Sequence, residues 1–220
     1  MHQDWDKLRP VLNESIGTTI YLVLVTFVVG GLIGLFLGTA LYTTRKGGLL
    51  ANAPINLLLN VVVNVVRPIP FIILLAALGP VTLQVVGTTI GRDAAVFVMI
   101  VAASFAMARI VEQNLVTVDP GVIEAARAVG AGPLRIIFTL LIPEALGPLI
   151  LGYTFVVIGI VDMSAMAGAV GGGGLGDFAL TFGYQRFDWQ VTFVAMLIII
   201  VGVQVVQFFG NWLARKVLRR

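Results

Sequence analysis

The chain has no cysteine and, among its 220 residues, a single histidine, His2. The first absence removes disulfides, thiolate metal sites and cysteine nucleophiles; the second leaves no histidine cluster for a metal. Charge is almost as scarce. Fourteen basic and 11 acidic residues make up 11% of the chain, while 59% is apolar and the mean hydropathy is +1.03. Soluble domains run nearer to about 45–50% apolar and 25% charged. A core cannot hide the excess, because a folded chain of roughly 200 residues still exposes a large surface to water. The composition excludes a soluble enzyme and predicts an all-α integral membrane protein, read as one domain over residues 1–220.

Five apolar runs are long enough to cross about 30 Å of hydrocarbon at ~1.5 Å per residue: residues 16–42, 55–78, 94–116, 146–169 and 191–213. The first is too long for a signal-peptide core and lacks a small-residue cleavage site, so it reads as a retained helix. The third carries Arg109 and Glu112 near its end, which predicts a helix that leaves the bilayer there and continues into water. Residues 79–93 are apolar enough for a re-entrant segment or a short extra span. Five spans place the termini on opposite sides. With the N-terminus outside, the outer segments hold Lys7, Arg9, Arg92 and Arg186. The inner ones hold Arg45, Lys46, Arg67, Arg109, Arg127, Arg135, Arg215, Lys216, Arg219 and Arg220. The positive-inside rule thus predicts N-terminus out and C-terminus in. Trp189 and Trp212 bracket the last run, either as interfacial anchors or as ordinary helix packing.

This orientation leaves one long cytoplasmic connection, residues 117–145. Its signals are those of ordered structure. Asp119 suits an N-cap, Pro120 the first helical position and Gly130 a left-handed C-terminal cap, which predicts a helix from Pro120 to Val129. Gly132 and Pro133 reset the direction, and a second helix is predicted from Pro133 to Ile142, interrupted by Pro143. Within the first helix, Glu124 and Arg127 have the spacing of a surface ion pair rather than a catalytic pair. The small side chains around them let another protein approach closely. A long ordered loop of this kind reads as a docking element more readily than as a surface turn.

Glu124, Ala125, Ala126, three residues, Gly130, nine residues, then Leu140, Leu141, Ile142 and Pro143 resemble the EAA motif of ATP-binding-cassette importer permeases. Leu140 and Ile142 stand where the usual pattern has isoleucine and leucine. Two further segments, Arg67 to Leu75 and Ser164 to Gly176, are similar to those of methionine-importer permeases, and the length and the five-span count agree. The resemblance covers most of the chain and is weakest at the N-terminal tail. It implies the type I importer permease fold in a bacterial inner membrane, and a coupling role for Glu124, Ala125, Ala126, Arg127, Gly130 and Pro143. Further implications are a second copy of the chain, two cytoplasmic ATPase subunits that use ATP and Mg, an external substrate-binding (lipo)protein, surrounding membrane lipid, and methionine as cargo. No cofactor bound by this chain, no nucleic acid and no hydrolase activity are expected.

Other features carry two readings each. Asn52, Asn56, Asn60 and Asn64 recur every four residues, drifting only ~40° per step, and so form one polar stripe. That stripe either lines a pathway, through Asn60 and Asn64, or hydrogen-bonds between helices. Gly30, Gly34 and Gly38 permit close helix packing. Gly171, Gly173 and Gly176 match G-x-G-x-x-G, but they follow an apolar run instead of a strand, so the match is false as a nucleotide site. Five glycines within residues 171–176 predict a tight corner on the outer side. Asp162 lies well inside a run, where an unpaired charge costs about 2.5–3.5 kcal/mol or more. It could face a wet path, pair with Arg67 or sit neutral, and Met163 and Met166 beside it line a path or fill a core. An importer for another small polar solute is the nearest alternative. An ion-coupled transporter would call for an internal repeat or several intramembrane charges, and neither is evident.

Overall fold

The computed structural model describes residues 4–218, apart from the side chain of Ala169; His2, Arg219 and Arg220 lie outside the described residues. Every regular element among them is helical. The elements are α1 (Trp5–Val25), α2 (Gly31–Thr44), α3 (Ala53–Val66), α4 (Phe71–Ala77), α5 (Gly79–Val86), α6 (Arg92–Leu115), α7 (Pro120–Ala128), α8 (Pro133–Ile136), α9 (Ile142–Glu144), α10 (Leu146–Ala167), α11 (Gly174–Phe178) and α12 (Trp189–Leu218).

Among the described residues, four helices are long and apolar enough to cross a membrane: Trp5–Thr44, in which α1 and α2 are joined through a π turn at Thr26–Gly30, then α6, α10 and α12. The second apolar run, residues 55–78, is not the single helix its hydropathy predicts. Arg67–Pro70 breaks it into α3 and α4. Pro68 and Pro70 lack the N–H groups that would continue the ladder, and each restricts the residue before it. Residues 79–93 contain only the eight-residue α5, about 12 Å long and too short to cross.

The chain divides into two compact units. The first comprises the chain up to Gly30, Ile69–Ala103 and Val157–Val206. Its core gathers Leu8, Leu175, Phe178, Val191 and Ala195. The glycine corner predicted at residues 171–176 is present, with positive φ at Gly171 (86°), Gly173 (71°) and Gly174 (86°). The amide of Leu175 then donates to Thr19 Oγ1 at 2.8 Å, tying α11 to α1.

The second unit comprises Gly31–Pro68, Ser104–Val156 and the chain from Gln207. Here the small residues of α2 set the packing. A Cβ on Gly34 would lie 2.5 Å from Met107 Cβ, and one on Gly38 would lie 2.5 Å from Val111 Cβ, so α2 and α6 approach at backbone distance. The third seat is Gly31, under Tyr153, whose hydroxyl donates to the Gly31 carbonyl at 2.8 Å. Around this contact, Tyr42, Val111, Leu115, Val118, Ile123, Ile136, Ile137, Leu141, Ala145 and Leu149 form one buried cluster.

Pro143 does not stop its helix as predicted. Helical structure runs from α8 through a π turn at Ile137–Leu141 into α9, which contains Pro143 and ends at Glu144. The wider turn, in which the Ile142 amide reaches Ile137 O, makes room for the pyrrolidine ring that would clash in a regular helix.

Candidate coupling and transport site

The segment that resembles the EAA motif begins at a well-capped helix. Asp119 accepts from the Gly121 amide at 2.8 Å, and Pro120 opens α7. At the other end Gly130 adopts φ +80°, the Gly130 amide reaches Arg127 O at 2.9 Å and the Ala131 amide reaches Ala126 O at 3.1 Å. These two bonds are a Schellman closure, which a residue bearing a Cβ at Gly130 would strain. Both ends of α7 are therefore specified by their own residues.

One side of α7 belongs to the core. Ile123 is buried and Ala126 packs against the same cluster, with Leu49 from the turn after α2. The other side is bare: Val122, Glu124, Ala125, Arg127, Ala128, Val129 and Gly130 are exposed. Glu124 and Arg127 do not make the ion pair that their spacing predicts; among the described residues the helix-surface pairs are elsewhere. Instead both line a cleft of about 100 Å³ with Arg45, whose guanidinium lies 4.0 Å over the Tyr42 ring. A short helix held by its rear face, offering small side chains and unpaired charges, is suited to mechanical docking. Pro143 is also exposed, but it sits in α9 and not in α7.

The asparagine stripe resolves residue by residue. Asn52 caps α3, accepting from the Ile55 amide at 3.1 Å. Asn56 donates to Leu41 O at 2.9 Å and Thr44 Oγ1 at 3.1 Å, which joins α3 to α2. Asn60 donates back to Asn56 O at 3.0 Å, within α3. Asn64, exposed, accepts from Arg109 Nη2 at 2.7 Å. Arg109 in turn pairs with Glu112 on its own helix, and the two side chains are only 22% and 18% exposed. Both are therefore mostly covered by their surroundings. The partner of Arg109 lies 45 residues away, beyond the reach of any local sequence signal. Asp162 is exposed, Met163 and Met166 are half-buried, and neither Asp162 nor Arg67 makes an ion pair among the described residues. No group of three His, Asp or Glu among those residues could hold a metal ion.

Residues 30–219 match the family described as the binding-protein-dependent transport system inner membrane component. The chain belongs to that family. It is 44% identical over 202 residues to the probable D-methionine transport system permease protein MetI of Vibrio cholerae, covering 92% of this chain and 90% of that one. It is 41% identical to the methionine import system permease protein MetP of Bacillus subtilis, covering 82% and 81%. Among solved structures, a chain of the MetNI methionine ABC transporter in an inward-facing conformation is 38% identical, with a TM-score of 0.93 over 99% of both chains. An amino acid ABC transporter chain at 23% identity and a TM-score of 0.79 shares the fold. The motif read from Glu124 to Pro143 thus lies within a chain of the permease class, whose work is transport.

Proposed function

We propose that this chain is the permease subunit of an ATP-driven methionine importer in a bacterial inner membrane. The observation that carries the reading is its similarity, at 38% identity over 99% of both chains, to a chain of a methionine ABC transporter. Two copies form the pathway, two cytoplasmic ATPases bind and hydrolyse ATP with Mg, and an external binding protein delivers methionine. The chain crosses five times, with α3 and α4 together making the second crossing, its N-terminus outside and its C-terminus inside. Residues 117–145 form the cytoplasmic coupling loop, and Asn60, Asn64, Asp162, Met163 and Met166 lie along the path.

The mechanism proposed is alternating access. ATP binding closes the ATPase pair, and α7 of each permease, seated on an ATPase through Glu124, Ala125, Ala126, Arg127 and Gly130, moves with it. A partner shifts a conformational equilibrium only through contacts that differ between the two states. The free energy of closure therefore enters through α7, whose rear face is built into the buried cluster around Ile123 and Tyr42.

Uptake of labelled methionine into proteoliposomes holding this chain, its ATPase and its binding protein tests the proposal. The expected result is uptake that requires ATP and falls at least tenfold in Glu124→Lys, a loss of the size that one essential polar contact supplies. ATP-dependent uptake of a different solute would keep the mechanism and discard the cargo; uptake indifferent to ATP would overturn both.

A further inference from the structure

Among the ion pairs of the described residues, three sit on exposed surface and one does not. Lys7–Asp4, Arg9–Asp6 and Arg92–Asp93 have side chains at least half exposed, whereas Arg109 and Glu112 are about four-fifths covered. α6 has 24 residues, about 36 Å of helix. Arg109 and Glu112 lie in its last two turns, mostly covered by their surroundings. Covered charges are costly to take out of water and tend to mark function. Packing alone does not call for one here, because Leu41, Val63 and Ala108 already form an apolar seat between α2, α3 and α6.

The seat of α3 is narrow. Val63 is buried, while Leu57, Leu58, Val61 and Val65 on the same helix are at least half exposed. A strip of apolar contacts resists separation but tolerates rotation of the helix about its axis, since such contacts are not directional. Two polar ties oppose rotation: Asn56 to α2 at one end, and Asn64 to Arg109 at the other. The second is charge-assisted and therefore the stronger, and Glu112 holds the guanidinium in place for it.

Resting on the importer reading, we propose that Arg109 is a positioning residue for transport. Held by Glu112, it pins Asn64 and thereby sets which face of α3 is turned to the pathway, so that α3 travels with α6 through the cycle. An apolar pair could hold α3 as tightly. Only a directional bond fixes its rotation, and buried polar groups are best attested in such register-setting roles.

The test uses the complete reconstituted complex, with uptake and ATP hydrolysis measured in the same vesicles over a range of loaded binding protein. Arg109→Met and Asn64→Leu are expected to lower the maximal uptake rate about tenfold, with KM for the binding protein and ATP hydrolysis each changed less than about twofold. The double variant should be no worse than the poorer single one, as expected for two residues acting through one bond. Asn64→Asp, which keeps an acceptor for the guanidinium, should retain at least half of the uptake. Should Arg109→Met fail to assemble, the Asn64 pair carries the test alone. Normal uptake in Arg109→Met or Asn64→Leu overturns the proposal, as does a parallel fall of uptake and hydrolysis that Asn64→Asp shares equally. Wild-type vesicles that import nothing would instead remove the importer reading beneath it.

Discussion

The glycines of α2 show how a single missing side chain decides a contact. At Gly38 an added Cβ would press on the Ala108 carbonyl and lie 2.5 Å from Val111 Cβ, both parts of the facing helix and neither the tip of a flexible chain. Gly38→Ala must therefore push α2 off α6, at about 1–3 kcal/mol for overpacking. At Gly17 on α1 the same addition meets nothing within 4 Å, so Gly17→Ala should be neutral or stabilising by up to about 1 kcal/mol, the difference in helix propensity. Thermal unfolding of the detergent-purified complex would show the contrast as a clearly lowered Tm for Gly38→Ala alone. The spacing of Gly30, Gly34 and Gly38 announced close packing of this span. It did not announce that Gly31 would sit under Tyr153 and accept from its hydroxyl. A residue's neighbours across a contact are a tertiary fact, and the π turn at Thr26–Gly30 shifts the helical phase just before it.

At the scale of elements, α7 is the part of the molecule most completely specified by its own sequence. Asp119, Pro120 and Gly130 stood out as cap residues, and each occupies the position its chemistry suits. Capping is local, satisfied within three or four residues, which is why it can be read without the fold. Asp119→Ala removes the acceptor for the Gly121 amide and should cost about 1 kcal/mol, raising hydrogen exchange of the first-turn amides of α7 about fivefold. Asp119→Asn keeps an acceptor and should exchange at the native rate. The helices flanking this loop and the second apolar run were less legible. Pro143 suggested a stop, but the Ile137–Leu141 π turn lets the helix continue through it. Pro68 and Pro70 were equally visible, yet the hydropathy of residues 55–78 concealed the break that they make between α3 and α4. Hydropathy averages over a window and is blind to which backbone groups can still pair.

For the whole molecule, the distribution of basic residues and the absence of cysteine combine into a direct test of topology. Every introduced cysteine is the only thiol in the chain. In intact right-side-out vesicles, a membrane-impermeant maleimide is expected to label Lys7→Cys and to leave Lys46→Cys and Lys216→Cys unmodified until the vesicles are opened. Labelling of both ends from the same side would refute an odd number of crossings. The expectation rests on the proposed five crossings, in which four helices among the described residues qualify as spans by length and the pair α3 and α4, bent by 109°, is counted as the fifth.

The amino-acid sequence by itself determined the class of protein, the apolar segments, and the capped helix bearing Glu124 and Gly130, because each follows from composition or from interactions that close within a few residues. Tertiary structure alone decided what covers Arg109 and Glu112, which of four evenly spaced asparagines ties α3 to which neighbour, and that Glu124 and Arg127 face a cleft with Arg45 instead of pairing with each other. The physical reason is one of range. A covered charge or amide must find a partner, but chemistry states only the demand; the fold chooses among the groups that could meet it, and for Arg109 it chose one 45 residues distant along the chain.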